Sequence, residues 1–434
     1  MLMTKNRLLA LLALACSWAL LQNVAFSQES DVPNMPFPRV GMCSATIGDT
    51  LYLIGGAQSL QVGGSFLSMR GTSTVQAFDL GTRTWITNIA PLGTPRVFAC
   101  AAALNDSIYV MGGVDSLGRV LNSVEVYDPA ANRWHYASSM KYARKGAAAT
   151  TFGDNVLVFG GGDSMNNLLS EVEGYSPMQG IWKVLPHPTL FARAFHHVTR
   201  VGNSIYIFGG LGSGVMVGPL QFIERYVPSV GVTQVNFTWR NTRAFFGSVT
   251  RNDSVFVISG WGQSGMQNGY YNDVDVLDFK DSGTAVERSA DVSLEEPRRG
   301  CVAAAGRNGQ IYVFGGITPE SGQYPVASVS TLYNVTAVEQ TPNTIPAGFK
   351  LSQNYPNPFN PTTRIQFDVP SPGSNVRLDV FNILGEKAVT LVDGFLRAGS
   401  YSAVFNGANM ATGTYIYRLQ TPNGSIYRKM VLIK

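Results

Sequence analysis

Ile311-Tyr312-Val313-Phe314-Gly315-Gly316 is a short apolar run with an aromatic second residue, closed by two glycines. The same figure stands at Leu51-Tyr52-Leu53-Ile54-Gly55-Gly56, Ile108-Tyr109-Val110-Met111-Gly112-Gly113 and Ile205-Tyr206-Ile207-Phe208-Gly209-Gly210. Weaker copies run from Val156 to Gly161 and from Val255 to Gly260. One unit is used six times, so the chain is built on a repeat.

Each copy opens with an arginine: Arg39, Arg96, Arg144, Arg193, Arg243 and Arg299, with the doublet position 16 residues further on. Small and β-branched residues follow, then a turn dipeptide such as Gly48-Asp49, Asn105-Asp106 or Asn308-Gly309. Those residues suit a tight hairpin because they tolerate positive φ or bond their own backbone. The apolar run is the return strand, buried on both faces, and the glycines end it where the backbone turns or meets a neighbour closely. A third strand ends in Tyr127-Asp128-Pro129, Tyr175-Ser176-Pro177 or Tyr226-Val227-Pro228, and a tryptophan (Trp85, Trp134, Trp182, Trp239) marks a fourth. One four-stranded sheet of about 50 residues cannot bury both faces alone; six arranged radially can, and a ring leaves no long open edge.

With this grammar the chain resembles the kelch repeat over residues 38 to about 338, with copies 1, 2, 4 and 6 matching best. The resemblance implies an all-β, six-bladed kelch β-propeller spanning residues 28–338. Asn34-Met35-Pro36-Phe37-Pro38 looks like the end of a fourth strand that closes blade six.

The rest of the chain is not repeat. Lys5 and Arg7 precede an apolar run, Leu8 to Leu21, and Ala25-Phe26-Ser27 offers small residues for cleavage. Residues 1–27 therefore read as a secretory signal peptide, too short in its apolar part to be a comfortable membrane span. A lipoprotein site at Cys16 is the weaker reading. Residues 339–350 read as a Pro-rich polar linker. Beyond it, alternating stretches separated by turns suggest a small Ig-like β-sandwich over residues 351–434.

That last segment resembles the type A C-terminal sorting domain of the type IX secretion system. The residues that carry the resemblance are Asn354, Tyr355, Pro356, Asn357, Pro358 and Phe359, then Gly394, Gly399 and Tyr401, then Gly413 and Tyr415, and finally Lys429 to Lys434. It implies a Gram-negative source, the type IX machinery as partner, and delivery to the cell surface or the medium by way of the periplasm.

Composition limits what the propeller does. Of 434 residues, 45% are hydrophobic and 14% charged, with 46 Gly and 22 Pro, which suits a turn-rich β protein. The formal charge of +4 resides in the termini: residues 347–434 alone carry nine bases and four acids. The body has no basic surplus for nucleic acid. Three cysteines remain after residue 27 (Cys43, Cys100, Cys301), an odd number that reads as small buried side chains rather than a disulfide framework. The four histidines, His135, His187, His196 and His197, offer no convergent ligand set, so no metal, cofactor or catalytic residue is expected. The candidate ligand-binding residues are the six repeat arginines, placed by the family resemblance near one mouth of the channel and suited to carboxylates or sulfates. Trp261 and Tyr270 join them, with Phe66, Tyr271 and Tyr324 on irregular insertions. The expectation is a non-catalytic binder of a protein or glycan. A sugar-acting enzyme of the galactose-oxidase or sialic acid mutarotase kind, both kelch relatives, and a purely structural surface protein are the alternatives.

Overall fold

A computed structural model describes residues 32–433 apart from 60–68, 213–217, 240, 252, 265–266, 281–282, 307–309, 323, 333–338, 342–347, 372–373, 397–398 and 408–409. The expected signal peptide, Phe66, the Asn308-Gly309 turn and Lys434 lie outside these residues. The chain divides into two compact units near residue 335 of the sequence, and the described residues contain strands and no helix.

In the first unit the repeat forms antiparallel sheets in sequence order. Blade one comprises Cys43–Ile47, Thr50–Ile54, Val75–Asp79 and Thr84–Ile86. Blade two runs Cys100–Leu104, Ser107–Met111, Val124–Asp128 and Arg133–Ala137, and blades three, four and five repeat the scheme. Among the described residues blade six has three strands, Val302–Ala305, Ile311–Phe314 and Val329–Leu332. The apolar runs are the second strands: Ile311–Phe314 is buried at every position, as is Ile108–Met111. A strand buried on both faces needs a neighbour on each side, and the adjoining blades supply it.

Two closed rings of backbone hydrogen bonds join the six sheets. In the first, the second glycine of each doublet donates to the arginine carbonyl of the next blade: Gly56 to Arg96 (2.7 Å), Gly113 to Arg144 (2.8 Å), Gly161 to Arg193 (2.8 Å), Gly210 to Arg243 (3.0 Å), Gly260 to Arg298 (2.7 Å) and Gly316 to Arg39 (3.0 Å). In the second, Phe98 donates to Gly41, Gly146 to Phe98, Phe195 to Gly146, Phe245 to Phe195, Gly300 to Phe245 and Gly41 to Gly300. All six residues of this inner ring have positive φ, between 57° and 66°. The doublet's first glycine is required by space as well: a Cβ on Gly55 would stand 2.3 Å from the Arg96 carbonyl oxygen.

The first ring corrects the register of copy six. Its arginine is Arg298, not Arg299, 17 residues before Gly315. The cause is a longer hairpin: Ala305 pairs with Ile311, whereas the equivalent pair in blade two is Ala103 with Ile108.

Residues 32–37 form no strand, yet they occupy the closing position. Met35 N donates to Ala327 O (2.8 Å), as Leu92 does to Ser73 and Met140 to Asn122 in other blades. Trp85 Nε1 donates to Pro33 O (3.0 Å), as Trp134 does to Ala90 O and Trp182 to Ser138 O. Val32 and Met35 are buried in one core with Phe78, Phe314 and Val329. Trp239 departs from this series. The partner of Tyr226 in blade four is Val232, and Trp239 is instead buried beside Arg243, its Nε1 on Asp275 (3.0 Å).

The second unit is two four-stranded sheets around one core. One contains Glu339–Thr341, Gly399–Asn406, Thr362–Val369 and Lys350–Leu351; the other contains Lys387–Leu396, Ser374–Phe381, Gly413–Thr421 and Gly424–Leu432. Part of the expected linker is thus an edge strand, Gln340 pairing with Tyr401. Thr362–Val369 alternates exposed and buried, as a half-buried strand should. Ile365, Phe367, Val380, Phe405, Tyr417 and Leu432 meet in the core.

Candidate functional site

Five of the proposed arginines are wholly inside. Arg39, Arg96, Arg144, Arg193 and Arg243 are each at most 1% exposed, and so out of reach of an external carboxylate or sulfate. Their guanidiniums grasp their own blade: Arg96 donates to Gly112 O (2.8 Å) and Ser123 O (2.9 Å), Arg144 to Gly160 O (2.7 Å) and Arg193 to Gly209 O (3.0 Å). The spacing of arginine and doublet therefore has one cause. The first glycine's carbonyl takes the guanidinium of its own blade, and the second glycine's N–H goes to the next arginine's carbonyl.

Blades two to five add a buried acid on the third strand. Arg96 meets Glu125 at 3.0 Å, Arg144 meets Glu173 at 2.6 Å, Arg193 meets Glu224 at 2.6 Å and Arg243 meets Asp275 at 2.7 Å. Burial pushes Glu224 up and Arg193 down, each against its partner's attraction. Backbone amides support the acids: Gly93 and Thr94 donate to Glu125, Lys141 and Tyr142 to Glu173. The blades either side of the closure lack the acid. Arg39 has Gln76, and Arg298 has the hydroxyls of Ser328 (2.9 Å) and Ser330 (2.8 Å). Ser259 replaces the first glycine in blade five at φ 58°, and its hydroxyl donates to Tyr271 O (2.7 Å).

Phe98, Phe195 and Phe245 of the inner ring close the channel at its arginine end. Their rings pack at 5.2 Å and 4.4 Å between centroids, Phe98 lying over Gly41 and Phe195 over Gly146. The sequence reading missed them, although the residue two places after each arginine shows the pattern: Gly41, Phe98, Gly146, Phe195, Phe245, Gly300. Beyond the rings lies a cavity of about 260 Å³ lined by Cys43, Cys100, Cys301, Ser44, His197 and Ser248 among others. The three thiols are free and buried. Burial pushes Cys43 and Cys100 up to about 12 and Cys301 to about 11, which leaves them unreactive at neutral pH. His197 ties blade four to blade five: Nε2 donates to Phe246 O (2.9 Å) and Nδ1 accepts from Ser248 Oγ (2.7 Å). Burial pulls its pKa down to about 4, far from the value a general base needs at neutral pH. His196 is also buried and held well below its ordinary value, first by burial and then by Arg193. His135 is exposed and His187 half-buried. Among the described residues no group of three or more His, Cys, Asp or Glu could hold a metal ion.

The remaining candidates do come together. Trp261 and Tyr270 face each other across a hairpin, Trp261–Ser264 with Gln267–Tyr270. The Arg299 guanidinium lies 5.2 Å from the Tyr270 ring. All three are half-buried. The hairpin starts beside the closed mouth, because Ala244, next to Phe245, pairs with Trp261. Tyr271 instead turns to Arg243, 4.2 Å from its ring centroid, and Tyr324 is exposed.

In the second unit most signature residues build the fold. The Asn354 amide is buried, donating to Pro356 O (3.0 Å) and Thr363 Oγ1 (2.9 Å), and its backbone N–H donates to Tyr417 OH (2.8 Å). Asn357 Oδ1 accepts from Val431 N (2.9 Å), and Phe359, in the core, bridges in parallel to Leu432. The segment thus fastens the last strand. Gly394 pairs with Val376, Gly399 with Val369 and Gly413 with Leu432. Tyr401 and Tyr415 are buried, whereas Tyr355, Pro356, Asn357, Pro358 and Lys429 are exposed.

Known proteins match both units. A family model of the KLHDC2/KLHL20/DRC7 kelch-repeats domain matches residues 16–210, and one of a secretion system C-terminal sorting domain matches residues 353–434. Alpha-scruin from Limulus polyphemus is 30% identical over 304 residues, 69% of this chain and 27% of that protein. Kelch-like protein 23 from Homo sapiens is 30% identical over 124 residues, 28% of this chain and 20% of that protein. The chain therefore spans about a fifth to a quarter of these relatives. The solved structure of YjhT superposes with a TM-score of 0.56 at 16% identity, covering 70% of this chain and 97% of that one, a likeness of fold. A sorting domain of this kind implies handling by the type IX machinery and secretion to the cell surface or beyond. The chain carries a kelch-repeat β-propeller followed by a type IX C-terminal sorting domain.

Proposed function

We propose that this is an exported, non-catalytic binding protein. Its six-bladed propeller enters the periplasm by the signal peptide at residues 1–27, crosses the outer membrane under the direction of residues 351–434, and holds a protein or glycan partner. The partner sits on the face formed by the connections between second and third strands, around the closed channel mouth. One observation carries the reading: Trp261, Tyr270 and Arg299, which depart from the repeat, gather beside that mouth, while the arginines that belong to the repeat are turned inward. Half-exposed aromatics beside a cation give large contact area at low entropic cost.

The test is a screen of the mature chain against glycan and peptide arrays, repeated with a Trp261→Ala/Tyr270→Ala variant. The proposal expects the array signal to fall in the variant while the thermal midpoint stays put. An array signal untouched by the double substitution contradicts it.

A further inference from the structure

The cavity beyond the phenylalanines is built from the same four positions of every blade. Its wall is 41–44, 98–101, 146–149, 195–198, 245–248 and 300–303. Each run begins on the inner ring of positive φ and leads into the first strand of its sheet. Every one of those first strands ends its sheet, so one edge of its backbone faces the channel axis and not another strand. Such an edge carries both N–H donors and C=O acceptors.

The side chains of the wall are small and uncharged. None of its residues is Asp, Glu, Lys or Arg. Its thiols keep their protons and its histidines are neutral at pH 7. Ser44, Ala101, Ala149, Val198, Ser248 and Ala303, one from each blade, are half-buried, and two places further along Thr46, Arg200 and Thr250 are exposed. Exposure therefore grows away from the phenylalanines, and the cavity is a cup with an aromatic floor, entered from the hairpin end. Arg200, at the rim, rests its Nε on Gly202 O (2.9 Å) and its guanidinium over the Phe152 ring.

One wall residue has an unmet need. His196 is 4% exposed, and neither of its ring nitrogens has a hydrogen-bond partner in the protein. A buried polar group without a partner is costly, and a ligand that supplies one removes the cost. Size narrows the ligand further. An engineered cavity of about 150 Å³ takes up benzene, so about 260 Å³ takes one six-membered ring with its substituents. A charged molecule would lose water here and find no counter-charge on the wall. A purely apolar one would leave the strand edges and His196 unmet. Hydroxyl groups both donate and accept, which suits both.

We propose that the cup on the propeller axis binds a small uncharged polyhydroxy ring, the size of a single sugar or cyclic polyol, with His196 and the inner strand edges meeting its hydroxyls. The site lies on the other side of the phenylalanines from Trp261 and Tyr270 and is independent of the reading of that face.

The test is saturation-transfer NMR of the mature chain with D-glucose, D-galactose, D-mannose and myo-inositol as probes, each followed by titration. The expected result is binding of at least one probe, weakened about tenfold in Ala101→Leu/Ala149→Leu, which fills the cup. Binding also weakens in His196→Leu and is unchanged in Trp261→Ala/Tyr270→Ala. His196→Leu removes two nitrogens without partners and Ser44→Ala adds no volume, so these two carry the test where the filled variant melts early. No saturation transfer to any of the four probes overturns the proposal. So does binding that survives both His196→Leu and the filled cup, or glucuronate and glucosamine binding as tightly as the neutral probes.

Discussion

Arg39 donates its Nε to the side-chain oxygen of Gln76 at 3.1 Å, where the arginines of blades two, three and four meet a glutamate. Burial pulls the Arg39 guanidinium down to about 9, so it remains charged and has no carboxylate. In blades two and three two backbone amides support the acid, whereas in blade one Pro36 has no N–H to give.

Gln76→Glu therefore places an acid beside a lone buried cation and should raise the thermal midpoint, a gain of roughly 1–2 kcal/mol. Glu173→Ala does the reverse. It strands the Arg144 charge and should cost about 3–5 kcal/mol. Calorimetry of the two variants checks both signs.

Acid should loosen the propeller through His197. Its folded pKa is about 4 against an ordinary 6.5, so the unfolded chain binds the proton first. Its contribution is complete above pH 6.5 and is lost as pH falls towards 4, about 3 kcal/mol in all at 1.36 kcal/mol per unit. A melting-temperature profile against pH should show this loss, and His197→Gln, which keeps donor and acceptor without titrating, should flatten it. His196, likewise held well below its ordinary value, contributes to the residual slope.

The thiols give a sharp native-state readout. With Cys43 and Cys100 at about 12 and Cys301 at about 11, all buried, a maleimide at pH 8 should leave the folded chain unlabelled. In denaturant, mass spectrometry should find three labels on the chain that begins at residue 28.

Removal of residues 28–37 should lower the melting temperature. It takes away the buried Val32 and Met35, the Met35–Ala327 hydrogen bond and the Trp85 partner, so an opening between blades six and one is the expected result. Burial of two such side chains is worth about 3–6 kcal/mol. An unchanged melt would show that the ring closes without them.

Much of this architecture is legible in the sequence because each repeated residue answers a repeated contact. The glycine doublet and the arginine before it are two ends of the same hydrogen-bond scheme. Register failed where two arginines stand side by side: Arg298 and Arg299 differ by one place, and the hairpin of copy six is one residue longer. Trp239 misled because an aromatic in blade four sits after a longer fourth strand, Gly231–Thr238, and serves Asp275 instead of a neighbouring carbonyl. Spacing also says nothing about direction. The phenylalanines lie over the channel at inner-ring positions of positive φ, and the arginines turn inward to carbonyls of their own blade, neither of which composition reveals. In the sorting domain, the signature could be quoted without knowing that Asn354 and Phe359 fasten the last strand while Tyr355 faces solvent.

The most direct test of the account is where the chain ends up. Full-length protein and a chain stopped at residue 350 can be expressed in a bacterium with a working type IX system and followed by fractionation and immunodetection of the propeller. The account predicts the full-length propeller on the cell surface or in the medium and the shortened one folded but held in the periplasm. Equal amounts of both outside the cell would contradict it.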